Sequence, residues 1–298
     1  MSRPWIPALL GMALAAAAAS GAVIESPGVR VVFSKGEERY ARNVLGICCS
    51  HADILQARLG LKLPGDLTVT LVGGRQFEAE LGPARARVSS AFARPSERVV
   101  MLHMGKLRPS RAGAFSRTMR HELVHIAVGE LVREKGTRLP LWMDEGLAML
   151  YGDMPFERDP IVLTRAVAAG TLIPLRGLTR AFPAESEHSV RLAYLQAEDA
   201  TRFLVRLKGE AALRELLQAL GRGKPFDEAL TATHGMHAAE LERQWKRSLS
   251  TGSGTLDWVW AALSGLSFFT YMAGLVILAF VVQLIRRRRR KEQMDSEV

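Results

Sequence analysis

The first half of the chain places its apolar residues in short β-branched or alternating runs, and the second half places them almost wholly at helical spacing. Val29 to Phe33 predicts a strand. Glu37 to Leu59 follows with Tyr40, Val44, Ile47, Ala52, Ile54 and Leu55 at helical intervals, and stops at Gly60. Leu67 to Val72 alternates Leu and Val with Thr and closes on Gly73-Gly74, as a second strand would. Val88 to Ala93 and Arg98 to Met104 flank the turn-like Arg94-Pro95-Ser96-Glu97 and predict a hairpin. Ala112 to Lys135 lacks proline and breaks at Gly136, which predicts one long helix, and Leu141 to Tyr151 predicts another, begun by Pro140 and ended by Gly152. Helical spacing then continues through Ile161–Ala169, His188–Lys208, Glu210–Leu220, Phe226–Thr233 and Ala238–Leu249. The expected fold is α+β, a small β-sheet with its helices at residues 23–155 followed by an all-helical subdomain at 156–250.

The two ends have a different character. Ile6 to Ala19 is apolar, follows Arg3, and is succeeded by Ser20-Gly21-Ala22, so residues 1–22 predict a secretory signal peptide. Val259 to Val282 is 24 residues without a charge, between the Trp258 and Trp260 pair and the basic run Arg286 to Lys291. That predicts a transmembrane helix at 258–285, joined by a flexible linker at 251–257 and followed by a basic cytoplasmic tail at 286–298. The expectation is a single-pass protein of a bacterial inner (cell) membrane, with the folded part extracytoplasmic or periplasmic and the C-terminus cytoplasmic. The lipid bilayer is then one partner, through the C-terminal helix.

The formal net charge of +10 changes little. The tail accounts for +3 of it and Arg3 for one more, the rest is spread over the middle without a basic stripe, and no nucleic-acid partner is expected. The two cysteines, Cys48 and Cys49, are neighbours, which excludes a disulfide scaffold and predicts buried, inert thiols on a helix. Oligomeric state is not legible.

Chemistry concentrates in His121-Glu122-Leu123-Val124-His125. Residues four apart share a helix face, so both imidazoles can address one cation while Glu122 reaches a water beside it. A catalytic zinc takes three protein ligands and keeps a position for water, so a third donor is needed. Leu141-Trp142-Met143-Asp144-Glu145-Gly146-Leu147-Ala148 provides two candidates. Glu145 is preferred over Asp144 because it precedes Gly146, which permits close helix approach, and opposes the bulky Trp142. The metal ligands expected are His121, His125 and Glu145, the cofactor Zn²⁺, and the general base Glu122, acting on a peptide or protein substrate. Tyr194 and His188 are candidate oxyanion donors on a later helix, although a packed Tyr194 and an exposed His188 are the simpler readings. Val99 to His103 is a candidate edge for an extended substrate, and His103 a remote candidate ligand.

These two motifs resemble those of the gluzincin peptidases, in particular the bacterial peptidase MA-like group, whose Trp-x-x-Glu-Gly-x-Ala segment carries the glutamate ligand. The resemblance covers roughly residues 29 to 249 and implies a zincin-like fold and a zinc-dependent endopeptidase or aminopeptidase. One position departs: gluzincins place an Asp four residues after the ligand glutamate to hold an imidazole, and Met149 stands there. Asp153, Asp144 or a backbone carbonyl would then take that task. A catalytically inactive zinc-holding relative that serves as a binding or scaffold module is the competing expectation.

Overall fold

The computed structural model describes residues 21–108, 113–153, 160–182 and 187–252. The predicted signal segment up to residue 20 and the predicted membrane span and tail lie outside them. Among the described residues no helix is long and apolar enough to cross a membrane.

Five strands form one mixed sheet: β1 (Ala22–Ser26), β2 (Val29–Phe33), β3 (Leu67–Val72), β4 (Ala91–Arg94) and β5 (Val99–His103), in the spatial order β1-β2-β3-β5-β4. β2, β3 and β5 run parallel, and the two outer strands are antiparallel to their neighbours. A parallel pair needs a crossover, and the helix α1 (Glu38–Leu59) supplies it between β2 and β3. It ends where Gly60 takes the left-handed conformation and its N–H caps the last turn. Between β3 and β4 lie two short helices, α2 (Gly74–Leu81) and α3 (Pro83–Val88), and α4 (Met104–Leu107) follows β5.

Two further helices carry the motifs, α5 (Ala114–Arg133) and α6 (Leu141–Tyr151). Then come α7 (Pro160–Ala168), a 3₁₀ turn at Leu175–Gly177, α8 (Leu178–Ala181), α9 (Glu187–Gly221), α10 (Phe226–His234) and α11 (Ala238–Gly252). α9 is broken at Gly209, whose backbone leaves the helical region, in agreement with the expected break between two helical runs. The chain divides into two compact units, Met1–Asp159 with Leu172–Trp245, and Pro160–Thr171 with Lys246–Val298. All the candidate residues fall in the first.

One face of the sheet is covered by α1 and α5. Val31, Phe33, Val69, Leu71, Val100 and Leu102 alternate along the strands onto Val44, Ile47, Met119, Leu123 and Ile126. The other face holds a smaller cluster of Val72, Phe77, Ala86 and Met101 under α2 and α3. Burying a side chain of this size contributes about 1.5–3 kcal/mol, so α5 is held to the sheet chiefly by its apolar stripe.

Three expectations are corrected. Val99–His103 is not an edge: β5 pairs with β3 on one side and β4 on the other, and the edge strand on that side of the sheet is β4. The strand predicted to begin at Val88 begins at Ala91, because Val88 ends a helix that Pro83 starts. Cys48 is buried, with its thiol pushed up to about 12 by burial and then by Cys49, but Cys49, one position on along α1, is exposed; both are free.

Candidate metal centre

His121 and His125 lie one turn apart on α5, and their apolar neighbours Met119, Leu123, Val124, Ile126 and Ala127 fix the helix against the protein interior. The two rings meet edge to face with their Nε2 atoms 3.2 Å apart. Glu145 on α6 completes a triangle: its Oε2 is 3.7 Å from His121 Nε2 and 3.6 Å from His125 Nε2. Among the described residues this is the one group of three whose donor atoms all lie within 4.8 Å of one another.

The group fits a zinc ion on its own geometry. Zinc–ligand bonds of about 2.0–2.1 Å place the corners of a tetrahedron roughly 3.3–3.4 Å apart, close to the three separations found. Glu145 Oε2 is buried and accepts no hydrogen bond, an expensive state for a carboxylate oxygen unless a cation faces it. Burial, then repulsion from His125, lowers the His121 pKa to about 3, which leaves its lone pair free for a metal. Burial opposes charge on His125 too, yet the carboxylates of Asp144 and Glu145 outweigh it and raise that pKa. A metal must displace that proton, so binding and proton release are linked.

Asp144 takes the role left vacant by Met149. Its Oδ2 is 3.1 Å from His125 Nδ1, on the far side of the ring from the triangle. It is placed to accept a hydrogen bond from Nδ1–H, which would leave Nε2 as the atom facing the triangle. Asp153 does not serve: it is exposed and paired with Arg120 at 3.2 Å. His103 is no ligand either. Its ring packs on Phe77 at 5.0 Å and beside Gly74 and Gly105. His188 is exposed, the simpler of its two readings.

Glu122 is 8% exposed, and the nearby Ala93 backbone on β4 favours its charged form. Burial first, and the nearby Glu145 and Asp144 charges, raise its pKa to about 7 against the pull of His125. A carboxyl poised there both takes and returns a proton near neutral pH. Tyr194 on α9 feels Glu145 and Glu122; burial, then those two charges, raise its pKa, so the phenol stays protonated. Its ring packs against Phe182 at 5.0 Å.

Small residues let the helices come this close. A Cβ at Gly146 would stand 2.1 Å from Thr201 Oγ1 and 2.3 Å from the Ala197 carbonyl oxygen on α9. Trp142 packs edge to face on Phe226. Three positions apart on α6, Trp142 and Glu145 stand only about 60° apart around the helix, so the expected opposition between them is corrected. The contribution of β4 was not legible. Residues Ser90, Phe92 and Arg94 bond to β5, so the backbone groups of Ala91 and Ala93 face the free edge above Glu122. Only the sheet order reveals that edge.

Comparison with known proteins follows this geometry. No curated protein matches the sequence. Among solved structures, similarity is found to a two-domain M1 zinc metallopeptidase mutant bound to L-tryptophan, at 16% identity and a TM-score of 0.41, covering 76% of this chain and 51% of that one. An M1 zinc metallopeptidase mutant from Deinococcus radiodurans bound to a Tyr-Ser-Ala substrate is similar at 15% identity and a TM-score of 0.40, with 76% and 51% covered. The chain spans about half the length of these structures. The family is carried instead by the match of residues 103–251 to the peptidase MA superfamily. That span holds His121, Glu122, His125, Glu145 and Tyr194, and the chain belongs to the peptidase MA superfamily.

Proposed function

We propose that the protein is a membrane-anchored, zinc-dependent peptidase that hydrolyses peptide bonds outside the cytoplasm. The observation that carries the catalytic part is the triangle of His121 Nε2, His125 Nε2 and Glu145 Oε2 with the buried carboxyl of Glu122 beside it. His121, His125 and Glu145 hold the ion, and Asp144 orients His125. When bound, zinc supplies Lewis acidity and makes a water acidic enough to lose a proton near neutral pH.

The residues of the chain do the rest. An extended peptide adds to the free edge of β4, where the outward backbone groups of Ala91 and Ala93 are available to pair with it. Glu122 accepts the proton of the attacking water as the oxygen bonds to the peptide carbon, then delivers it to the amine nitrogen as the carbon–nitrogen bond breaks. Tyr194, kept neutral, donates its O–H to the carbonyl oxygen as negative charge gathers there. The outcome is one water consumed and two peptide ends released.

Anchoring rests on the sequence: the signal-like residues 1–22, the uncharged run Val259–Val282, and the basic tail that follows, which place the peptidase unit and the C-terminus on opposite sides of the membrane. The test uses full-length protein in detergent. Glu122→Gln keeps one zinc per chain and loses peptide hydrolysis by at least about a thousandfold. A variant that still turns over peptide removes Glu122 from this role, and native protein that binds zinc without hydrolysing any peptide favours a scaffold.

A further inference from the structure

The hairpin that presents the free edge ends in a strained turn. Arg98 sits at φ 57°, in the left-handed region that L side chains other than Asn and Asp rarely adopt. Such strain persists where surrounding contacts over-determine it, and here they are plain. Arg98 Nη1 donates to both oxygens of Asp66 at 2.7 Å. Its Nη2 and Nε donate to the two oxygens of Glu130 at 2.8 and 3.1 Å, a two-pronged bond that only a guanidinium makes.

Glu130 stands on α5, little more than one turn beyond His125. At the residue before it, Gly129, a Cβ would fall 2.1 Å from Pro95 Cβ, so the turn rests directly on the motif helix. Two residues before Pro95, in the strand itself, the Ala93 backbone lies near Glu122. The hairpin therefore meets α5 at two places about two turns apart along the helix, strand near Glu122 and turn at Gly129–Glu130, and Arg98 locks the second of them. The lock reaches from α5 to Asp66, at the entry to the central strand β3, and so ties edge, motif helix and sheet together.

We propose that Arg98 is a positioning residue, whose bridge between Asp66 and Glu130 holds the substrate-binding edge Ala91–Arg94 in one register over the metal centre and thereby decides which peptide bond is cut. This rests on the peptidase reading and on β4 as the substrate edge. It accounts for an arginine at a position where the backbone favours glycine: glycine would relax the turn but release the edge. Arg94, which donates to Glu80 from the other face of β4, restrains the strand but not its distance from α5.

The test uses the full-length zinc-loaded chain and the variants Arg98→Gly, Arg98→Lys and Glu130→Gln. Arg98→Gly suits the backbone, so the fold survives while the bridge is lost. Three readouts are taken: zinc stoichiometry, amide hydrogen exchange over residues 91–94 and 119–128, and the cleavage map and kinetics on an unstructured protein, carboxymethylated casein. The expected result for Arg98→Gly is one zinc per chain and unchanged exchange in α5. Exchange at 91–94 rises about tenfold or more, KM rises about tenfold with kcat within threefold, and cleavage spreads to bonds next to the native sites. Arg98→Lys and Glu130→Gln, each keeping part of the bridge, fall between. Unchanged exchange at 91–94, or an active variant with the native cleavage map, overturns the proposal alone. A uniform loss of kcat with a lowered unfolding midpoint and the native map makes the bridge merely structural and overturns it too. Native protein that binds zinc but cleaves nothing overturns the peptidase reading and this role with it.

Discussion

Gly146→Ala adds a single methyl group, and the structure states where it would go. The new carbon meets Thr201 Oγ1 at 2.1 Å and the Ala197 carbonyl oxygen at 2.3 Å, where ordinary contact begins at 3.4 Å. Thr201 is fully buried and its hydroxyl already donates to that same carbonyl at 2.9 Å, so neither atom yields without α9 moving. α6 must back away from α9 by roughly 1 Å, and overpacking of this kind costs about 1–3 kcal/mol. For a folded unit of this size that lowers the unfolding midpoint by roughly 2–12 °C. The same shift carries Glu145 with it. Its Oε2 stands 3.6–3.7 Å from the two imidazole nitrogens, and 1 Å more takes it beyond the reach of an ion that both histidines also hold. Zinc affinity should fall at least about a hundredfold, as much as the loss of a well-placed outer partner or more. Thermal unfolding with and without zinc, plus competition with a chromophoric chelator, measures both effects. Gly46→Ala is the control, since Gly46 lies in α1 with nothing within 4 Å of a new Cβ, and it should raise stability by about 0.5–1 kcal/mol. A Gly146→Ala protein with native unfolding and native zinc affinity would refute the packing argument.

Other outcomes follow from single contacts. Asp144→Asn keeps the shape and a carbonyl acceptor but loses the negative charge facing His125 Nδ1–H, and zinc affinity should drop about 10- to 100-fold in the same chelator competition. Tyr194→Phe should retain zinc and lower kcat about 10²- to 10³-fold, with KM changed little; an unaltered kcat would return Tyr194 to a packing role. His51 is 1% exposed with neither ring nitrogen bonded, and burial, then the Arg120 charge, lowers its pKa from 6.5 to about 4. The unfolded chain then binds the proton first, so stability falls as pH drops from about 6.5 to 4, by on the order of 3 kcal/mol from this group. Denaturation midpoints across that window should be flatter in His51→Leu than in the native protein.

The parts legible in the sequence were those fixed by local spacing. The His121–His125 pair needs only a helix, and its apolar side predicted the helix. Glu145 was separable from Asp144 by Gly146 beside it, because a glycine marks close approach; Trp142 carries no such weight, since it is Asp144 that stands on the far side of α6 from it. That both carboxylates act on His125, from opposite sides of one ring, depends on how α6 crosses α5 and has no local signature. Strand order is equally non-local. Val99–His103 looked like an edge from its own residues, and only its pairing with β3 shows that the edge passes to Ala91–Arg94. The helices α2 and α3 escaped notice for being short, at 8 and 6 residues, although Pro83 announces the second. Cys49 follows Cys48 by one position, and one position on a helix is enough to turn a side chain from the core to solvent.

The central claim is that two imidazoles and one carboxylate gather around a single ion. X-ray absorption at the zinc edge of the stoichiometrically loaded full-length protein tests it most directly. The account predicts two imidazole nitrogens at about 2.0–2.1 Å, oxygen neighbours at similar distance and no sulfur. A spectrum with sulfur at about 2.3 Å, or with only one imidazole, would contradict it.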